Sequence, residues 1–465
     1  MRRSWAFAIC GVALGLSGCT MMPKYSRPAA PVPPSFPAVP TAQAMPAGSA
    51  AADLRWQEFF TDASQKAVIE QALANNRDLR VATLNVEKVR ALYRIQRAEL
   101  YPTIGVQANG QRQLAAAKEG EEKGQTTTQY SVAAGASAWE LDLFGRVRSL
   151  KAAALQRYFA SEQAQRSAQA ALVAAVAQTY LALAADGDDL RLSQETLAAQ
   201  QSSLKLIQRS RDLGVASDLD LHQVETAVEA ARVDAARFTG LTTVDKNTLE
   251  FLVGAPVDPA LLPDRLASVL TPRAVSAGLS SDVLLSRPDV LVAEHQLRAA
   301  NANIGAARAA FFPRIALTAG VGTVSDDLSG LFGAGTGTWT FAPQITAPIF
   351  AGGSLIANLK VSKLERKIAV AQYEKAIQQA FGEVANALTL RTTLLDQRHA
   401  QESLVRALEE TYRLSDARYK AGIDGYLGVL VAQRALIGAQ QALVGVRLAE
   451  QANLVTLYKV LGGGV

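Results

Sequence analysis

The feature that most constrains this chain is a stretch that nothing interrupts. Between Arg146 and Asp212 there is no proline, and Gly187 is the only glycine. Those are the residues that break helices, so the span reads as one helix, roughly 100 Å long at about 1.5 Å per residue. Val176, Leu183, Leu190, Leu197 and Leu204 recur every seven residues along it, the spacing of a helix–helix seam. A counterpart runs from about Ser354 to Lys420, where Tyr373, Ile377, Phe381, Val384, Leu388 and Leu395 share a face. Helices of this length outrun a globular core and must pack side by side as a bundle or tube. The composition agrees: 49% of residues are hydrophobic but only 6% aromatic, so the apolar surface is mostly Ala, Leu and Val, suited to close helix packing.

The long helices belong to a larger duplication. Asn76-Arg77-Asp78-Leu79 is answered by Arg287-Pro288-Asp289-Val290, and Arg97-Ala98-Glu99-Leu100-Tyr101-Pro102 by Arg308-Ala309-Ala310-Phe311-Phe312-Pro313. Leu143-Phe144-Gly145 pairs with Ile349-Phe350-Ala351-Gly352, and Leu213-Gly214-Val215 with Ala421-Gly422-Ile423. The order and offset persist, which predicts two tandem structural repeats, 56–270 and 271–465. Each contains a helix, two strands, a very long helix, a glycine-containing break and a second long helix. The expected strands are about 102–112, 128–141, 313–324 and 337–349. The expected long helices are about 145–212, 217–253, 353–420 and 425–461.

The strands alternate with period two. Ile104, Val106 and Ala108 face away from Gly105, Gln107 and Asn109; Ile315, Leu317, Ala319 and Val321 face away from Arg314, Ala316, Thr318 and Gly320. One apolar face and one small or polar face suit a transmembrane β-barrel. Four strands in two distant hairpins cannot close a barrel alone; several chains together can. No stretch beyond the leader reads as a transmembrane helix, because Gln, Arg, Asp and Glu break the apolar runs.

Both cysteines, Cys10 and Cys19, lie in the first twenty residues, so neither a disulfide framework nor a thiolate metal site is available downstream. Arg2 and Arg3, an apolar run from Trp5 to Leu16, and Leu16-Ser17-Gly18-Cys19 resemble a bacterial lipoprotein signal. Residues 1–18 are the expected signal peptide and Cys19 the lipidation site, with Thr20 at the next position favouring the outer membrane by the same resemblance. Residues 19–55, rich in Pro, Ala and Ser, form the expected linker. His222, His295 and His399 lack metal-ligand spacing, and no phosphate-cradling or nucleophile-elbow motif is present. No enzyme, metal or cofactor is expected. A net charge of +5 without a basic run argues against nucleic acid.

These features converge. Arg287-Pro288-Asp289-Val290, Glu294, Ala300-Asn301-Ala302-Asn303-Ile304-Gly305 and Ala307-Arg308-Ala309-Ala310-Phe311-Phe312-Pro313 resemble the TolC-like outer-membrane factor family, in particular its efflux lipoproteins. Trp139-Glu140-Leu141-Asp142-Leu143-Phe144-Gly145-Arg146 and Leu213-Gly214-Val215-Ala216-Ser217-Asp218-Leu219-Asp220 add to the likeness. The resemblance implies an α+β membrane protein: a homotrimer sharing a 12-stranded transmembrane β-barrel, four strands per chain, continued by a periplasmic 12-helix α-barrel with a small equatorial domain. It implies a passive gated exit duct of a tripartite efflux pump, anchored in outer-membrane lipid and partnered by a periplasmic adaptor and an inner-membrane pump of the RND type. The same scaffold could serve protein secretion or metal export; a non-conducting coiled-coil spacer is the reading from another class.

The helix breaks are the expected functional tips. Gly214 and Gly422 are placed to turn each long helix back. By resemblance Asp220 and Tyr419 match gate positions, with Arg209, Arg211, Asp218 and Asp424 as neighbours. Ser217 and Asp218 also suit capping of the returning helix. Gly428 and Val431 stand where family members often carry acidic residues, which removes a carboxylate ring at those levels.

Overall fold

The structure, a computed structural model, describes residues 20–36, 54–114, 116, 126–272 and 280–463. The expected signal peptide, Cys19, residues 37–53 of the linker, most of the first strand-to-strand loop and residues 273–279 lie outside the described residues. The elements are α1 (Trp56–Phe59), α2 (Ala63–Asn75), α3 (Arg77–Ala98), β1 (Ile104–Leu114), β2 (Thr126–Leu141), α4 (Arg146–Asp212), α5 (Asp218–Val253), α6 (Pro288–Ala309), β3 (Arg314–Ser325), β4 (Gly337–Thr346), α7 (Ser354–Lys420) and α8 (Tyr426–Val460). Helices α4 and α7 are each 67 residues long. The chain divides into two units. One combines the start of the chain with Asn85–Glu162 and Val292–Tyr373; the other combines Ala30–Leu84, Gln163–Leu291 and Glu374–Val465.

The first unit holds an antiparallel sheet in the order β1-β2-β3-β4. Ile104 lies opposite Ala136, Val106 opposite Ala134, Ala319 opposite Phe341 and Val321 opposite Trp339, so the apolar residues of neighbouring strands share one face. Gln107 opposite Ala133, Gly135 opposite Gly320 and Gly320 opposite Thr340 make up the other. A bulge between Ala136 and Trp139, with Ala138 at φ 51°, inserts one extra residue into β2. Period-two reasoning alone does not reveal it. It keeps Trp139 and Leu141 on the apolar face opposite Leu317 and Ile315; without it Glu140 would face that way.

The small face is crowded. A Cβ on Gly135 would lie 2.2 Å from the Ala319 carbonyl oxygen, and one on Gly322 would lie 2.3 Å from that of Val132. Where the strands feed the helices, Glu140 accepts from Arg146 Nε at 2.8 Å and from Arg314 Nη2 at 2.6 Å, while Phe144 stacks on Phe312 at 4.7 Å.

In the second unit, Phe59 stacks on Tyr458 at 3.9 Å, and the Tyr458 hydroxyl donates to the Leu54 carbonyl at 2.8 Å. Trp56, Phe60, Val68, Ile69 and Ala72 are buried. The two residues that head the sequence repeats do the same work in different chemistry. Asn76 Nδ2 donates to the Leu252 carbonyl at 2.8 Å, near the end of α5. Arg287, 6% exposed, donates Nη1 to the Val460 carbonyl at 2.7 Å at the end of α8, and pairs with Asp289 and Glu383. Each satisfies a carbonyl that the helix end leaves without an intrahelical partner. Gly254 and Gly462 follow those ends at φ 75° and 81°.

Helices α4 and α8 each contain an 18-residue window apolar enough to cross a bilayer by composition, with mean hydropathy 1.5 and 1.3. In α4 the cause is the alanine-rich run around Ala170–Ala185, which is low in charge because it packs: Val173, Ala174, Val176, Ala177 and Leu181 are buried.

The crowding of the small face is testable. Gly135→Val is expected to abolish assembly of the oligomer, read by light scattering of the detergent-purified protein, because its branched side chain meets backbone. Gly105→Val, where a Cβ meets nothing within 4 Å of its own chain, is expected to leave β1 paired to β2 and to impair assembly less than Gly135→Val. Equal assembly of the two variants would remove the steric argument.

Candidate functional site

Both long helices end in the same hydrogen-bond pattern. After α4 the Val215 N–H donates to the Ser210 carbonyl at 2.9 Å and the Gly214 N–H to Arg211 at 2.8 Å. After α7 the Ile423 N–H donates to Arg418 at 3.0 Å and the Gly422 N–H to Tyr419 at 2.9 Å. A backbone bond reaching five residues back closes a helix only if the next-to-last residue is left-handed. Gly214 and Gly422 are at φ 76° and 71°. A Cβ at either would meet nothing within 4 Å, so conformation and not space calls for glycine.

The returning helices start differently. Ser217 caps α5: its Oγ accepts from the Asp220 N–H at 3.1 Å, and Asp220 Oδ2 accepts from the Ser217 N–H at 3.0 Å. This reciprocal pair satisfies two otherwise orphaned donors. Its hydrogen bonds from the Ser217 hydroxyl and backbone outweigh burial and hold the Asp220 carboxyl below the usual carboxylate range. Asp218 is not the cap; its carboxylate accepts from Arg211 Nε at 2.8 Å across the turn. Helix α8 has no side-chain cap at Gly425. There Arg418 closes the turn by donating Nη2 to Asp424 at 3.1 Å, and the hydrogen bond from Arg418 lowers the Asp424 pKa. Arg209 is exposed.

With Gly214 aligned on Gly422, Arg211 corresponds to Tyr419 and Asp218 to Tyr426. Tyr419 and Tyr426 make an edge-on contact, ring centroids 5.0 Å apart. An ion pair in the first repeat therefore stands where the second has an aromatic pair. The tyrosines join a cluster in which Ile207, Leu221, Val224, Tyr426, Val429 and Leu430 are buried, with Tyr412 and Tyr419 packed against it. Burial, then Tyr426 and the negative charge of Asp220, push the Tyr419 hydroxyl pKa up. Asp220 and Tyr419 are thus electrostatic neighbours. Sequence reasoning missed Tyr412, Tyr426 and Arg418. The signal was available for the first two: tyrosines recur at 412, 419 and 426, every seven residues. Outside the cluster Leu213, Val215, Leu219, Ile423 and Leu427 are exposed. Among the described residues no three His, Cys, Asp or Glu side chains are grouped to hold a metal.

The comparisons with known proteins agree in direction. A family model described as outer membrane efflux protein matches residues 68–255 and 279–463. The probable efflux pump outer membrane protein TtgC of Pseudomonas putida is 49% identical over 458 residues, 97% of this chain and 93% of that protein. The cation efflux system protein CusC of Escherichia coli is 41% identical over 97% of this chain and 98% of its own length. The crystal structure of the open state of the MtrE outer membrane channel of Neisseria gonorrhoeae superposes with a TM-score of 0.87 at 40% identity, covering 96% of this chain and 98% of that one.

The reciprocal cap makes a pH prediction. Asp220 is depressed in the folded state, so its contribution is fully present above the ordinary carboxylate pKa and is lost as pH falls through the lowered value. Amide exchange in the first turn of α5, corrected for its intrinsic rate, should show that acid loss in wild type and lack it in Asp220→Asn. Ser217→Ala should raise exchange there at every pH, in line with a cost of about 1 kcal/mol. An identical acid profile for wild type and Asp220→Asn would contradict this.

Proposed function

The chain belongs to the outer membrane efflux protein family and is an outer-membrane channel of an efflux system; from that premise we propose that it is the passive, gated exit duct of a tripartite pump. Three copies close one 12-stranded barrel and continue it as a 12-helix periplasmic tube, each copy being two tandem repeats, 56–270 and 271–465. Cys19 carries the lipid anchor in the outer membrane. The two turns form the periplasmic tip, where an adaptor docks on the exposed Leu213, Val215 and Ile423 and where an inner-membrane pump of the RND type delivers its cargo. The pump selects the cargo; the duct supplies a polar, small-residue wall.

The observation that carries this reading is the sheet. It has an apolar face, a small polar face and unpaired outer edges on β1 and β4. A sheet in lipid must close, because no water is available to satisfy its edges. The gate reading rests on Asp220, whose negative charge raises the Tyr419 hydroxyl pKa, with Arg211–Asp218 and Arg418–Asp424 holding the turns and Arg209 adding exposed positive charge. Three copies of Asp220 would bring like charges to the narrow end of the tube, where a cation relieves their repulsion.

Light scattering of the detergent-purified protein, corrected for detergent, should report three chains; a stable monomer would overturn the shared barrel. In planar bilayers Asp220→Ala should raise single-channel conductance and weaken cation preference. The change should exceed that of Glu229→Ala, an exposed acidic residue farther along α5. If Asp220→Ala conducts as wild type, the residue serves the helix cap alone and does not gate.

A further inference from the structure

Two carboxyl oxygens in the second unit are buried with no donor to meet them. Asp189 on α4 is 9% exposed, and its Oδ1 has no hydrogen-bond partner among the described residues. On α5, Asp245 Oδ2 is buried in the same way, and the Asp245 carboxyl lies within hydrogen-bonding reach of the Asp186 carboxyl on α4. Asp186 and Asp189 are three residues apart and so share a helix face. An ionised carboxyl only accepts, so two carboxyls can bond each other only when one carries a proton.

The cations nearby are committed elsewhere. Arg237 bonds Asp234 at 3.2 Å and lies 4.3 Å over the Phe238 ring. Arg191 pairs with Asp188 and Glu195. Asp188 also accepts from the Leu266 N–H at 3.0 Å, which brings the loop of Asp264 and Arg265 to this level of α4. Lys246 follows Asp245 and turns about 100° away around the helix. Helix α8 meets α4 through Gln178–Thr456 and Gln200–Gln433; its Arg447 and Glu450 pair with Glu402 and Arg398 of α7.

The second repeat fills the same place with an amide. Aligned on Gly214 and Gly422, Asp186, Asp189 and Asp245 correspond to Leu394, Gln397 and Asn453. Asn453 is 6% exposed and donates Nδ2 to the Ala387 carbonyl of α7 at 3.2 Å. An amide donates at every pH, whereas a carboxyl donates only when protonated.

We propose that Asp186, Asp189 and Asp245 are a proton-binding latch between α4 and α5: Asp186 and Asp245 share one proton, Asp189 holds another, and their loss loosens this helix contact in the first repeat alone. The electrostatics agree. Burial, then the charges of Asp186 and Asp188, push the Asp189 carboxyl up to about 7 against the pull of Arg237. Burial, then the hydrogen bond and charge of Asp186, push the Asp245 carboxyl up to about 6. Both groups are raised in the closed state. Closure is therefore fully favoured below the ordinary carboxylate pKa and is lost as pH rises through about 6 and then about 7. This is opposite in sign to the cap at Asp220 on the same helix.

Amide exchange of the detergent-purified oligomer, corrected for intrinsic rate, reads the latch. In wild type, peptides around Asp189 and Asp245 should exchange roughly tenfold faster at about pH 8 than at about pH 5, while those around Asn453 stay level. Asp245→Asn supplies the donor permanently and should lose most of that rise; adding Asp189→Asn should remove the remainder. Light scattering checks that the variants assemble. Wild-type exchange that is the same at both pH values, or a rise that persists in the double variant, would overturn the latch. If calcium or magnesium restores wild-type protection at the higher pH, the carboxyls hold a cation and the proton assignment fails.

Discussion

An unpaired strand edge cannot sit in hydrocarbon. β1 and β4 span 11 and 10 residues, and about half of their backbone donors and acceptors point away from the single chain's sheet. Each such group costs several kcal/mol in lipid, so the two edges together carry a penalty of tens of kcal/mol unless another strand meets them. No rearrangement within four strands removes it, because so small a sheet cannot curl shut on filled interior side chains. The rest of the architecture follows from that obligation. Gly135, Gly320 and Gly322 keep the small-residue face thin, the bulge at Ala138 holds Trp139 toward the apolar side, and Glu140 locks Arg146 and Arg314 where strands hand over to helices.

Duplication supplies the helices in matched pairs, and the pairs show which features are geometric and which are free to drift. Gly214 and Gly422 are retained in both halves because a left-handed residue has no cheap substitute. Gly254 and Gly462 obey the same rule at the far helix ends. Asn76 and Arg287 differ, because any donor that reaches a terminal carbonyl will serve. The i, i+7 contact beside each turn differs most: Arg211 with Asp218 in one half, Tyr419 with Tyr426 in the other. A ring of three chains would therefore alternate charged and aromatic contacts around its narrow end, and a closed tip built that way answers to both ionic strength and apolar packing.

What the sequence disclosed follows the range of the forces involved. Long helices, alternating strands and left-handed turns are decided by neighbours a few residues apart, so Arg146–Asp212, the strand faces and Gly214 were legible directly. The strands were placed within a few residues, but β4 stops at Thr346 and leaves Ile349 and Phe350 exposed outside it. Ala138 was not legible, because alanine carries no signature of a left-handed bulge. At the tip Ser217 and Asp220 formed a visible capping pattern, yet which carboxylate closes the cap depends on Arg211 drawing Asp218 away across the turn. Glu294 belonged to a recognised stretch, but its partners lie at Tyr25 and Arg27, and no local spacing connects residues so far apart.

The two short helices that lead into the strands, α3 and α6, show where symmetry had to fail. Aligned on Asn76 and Arg287, the positions of Glu294, Asn301 and Gly305 fall on Thr83, Arg90 and Arg94 in the first repeat. No acid pin is present there, and a long arginine stands where Gly305 gives way to a backbone. A chain has one start and two such helices, and residues 21–27 cover only α6. The other keeps Val81, Leu84, Leu92 and Ile95 exposed, at spacings that line one helix face. Within the single chain one of the two helices has a face filled by residues 21–27, and the other presents an apolar face that the chain itself leaves uncovered. The stretch of the second repeat that looks most family-specific is thus explained by what it holds: small residues and a buried acid seat an extended peptide, and among the described residues no such peptide is seated on α3.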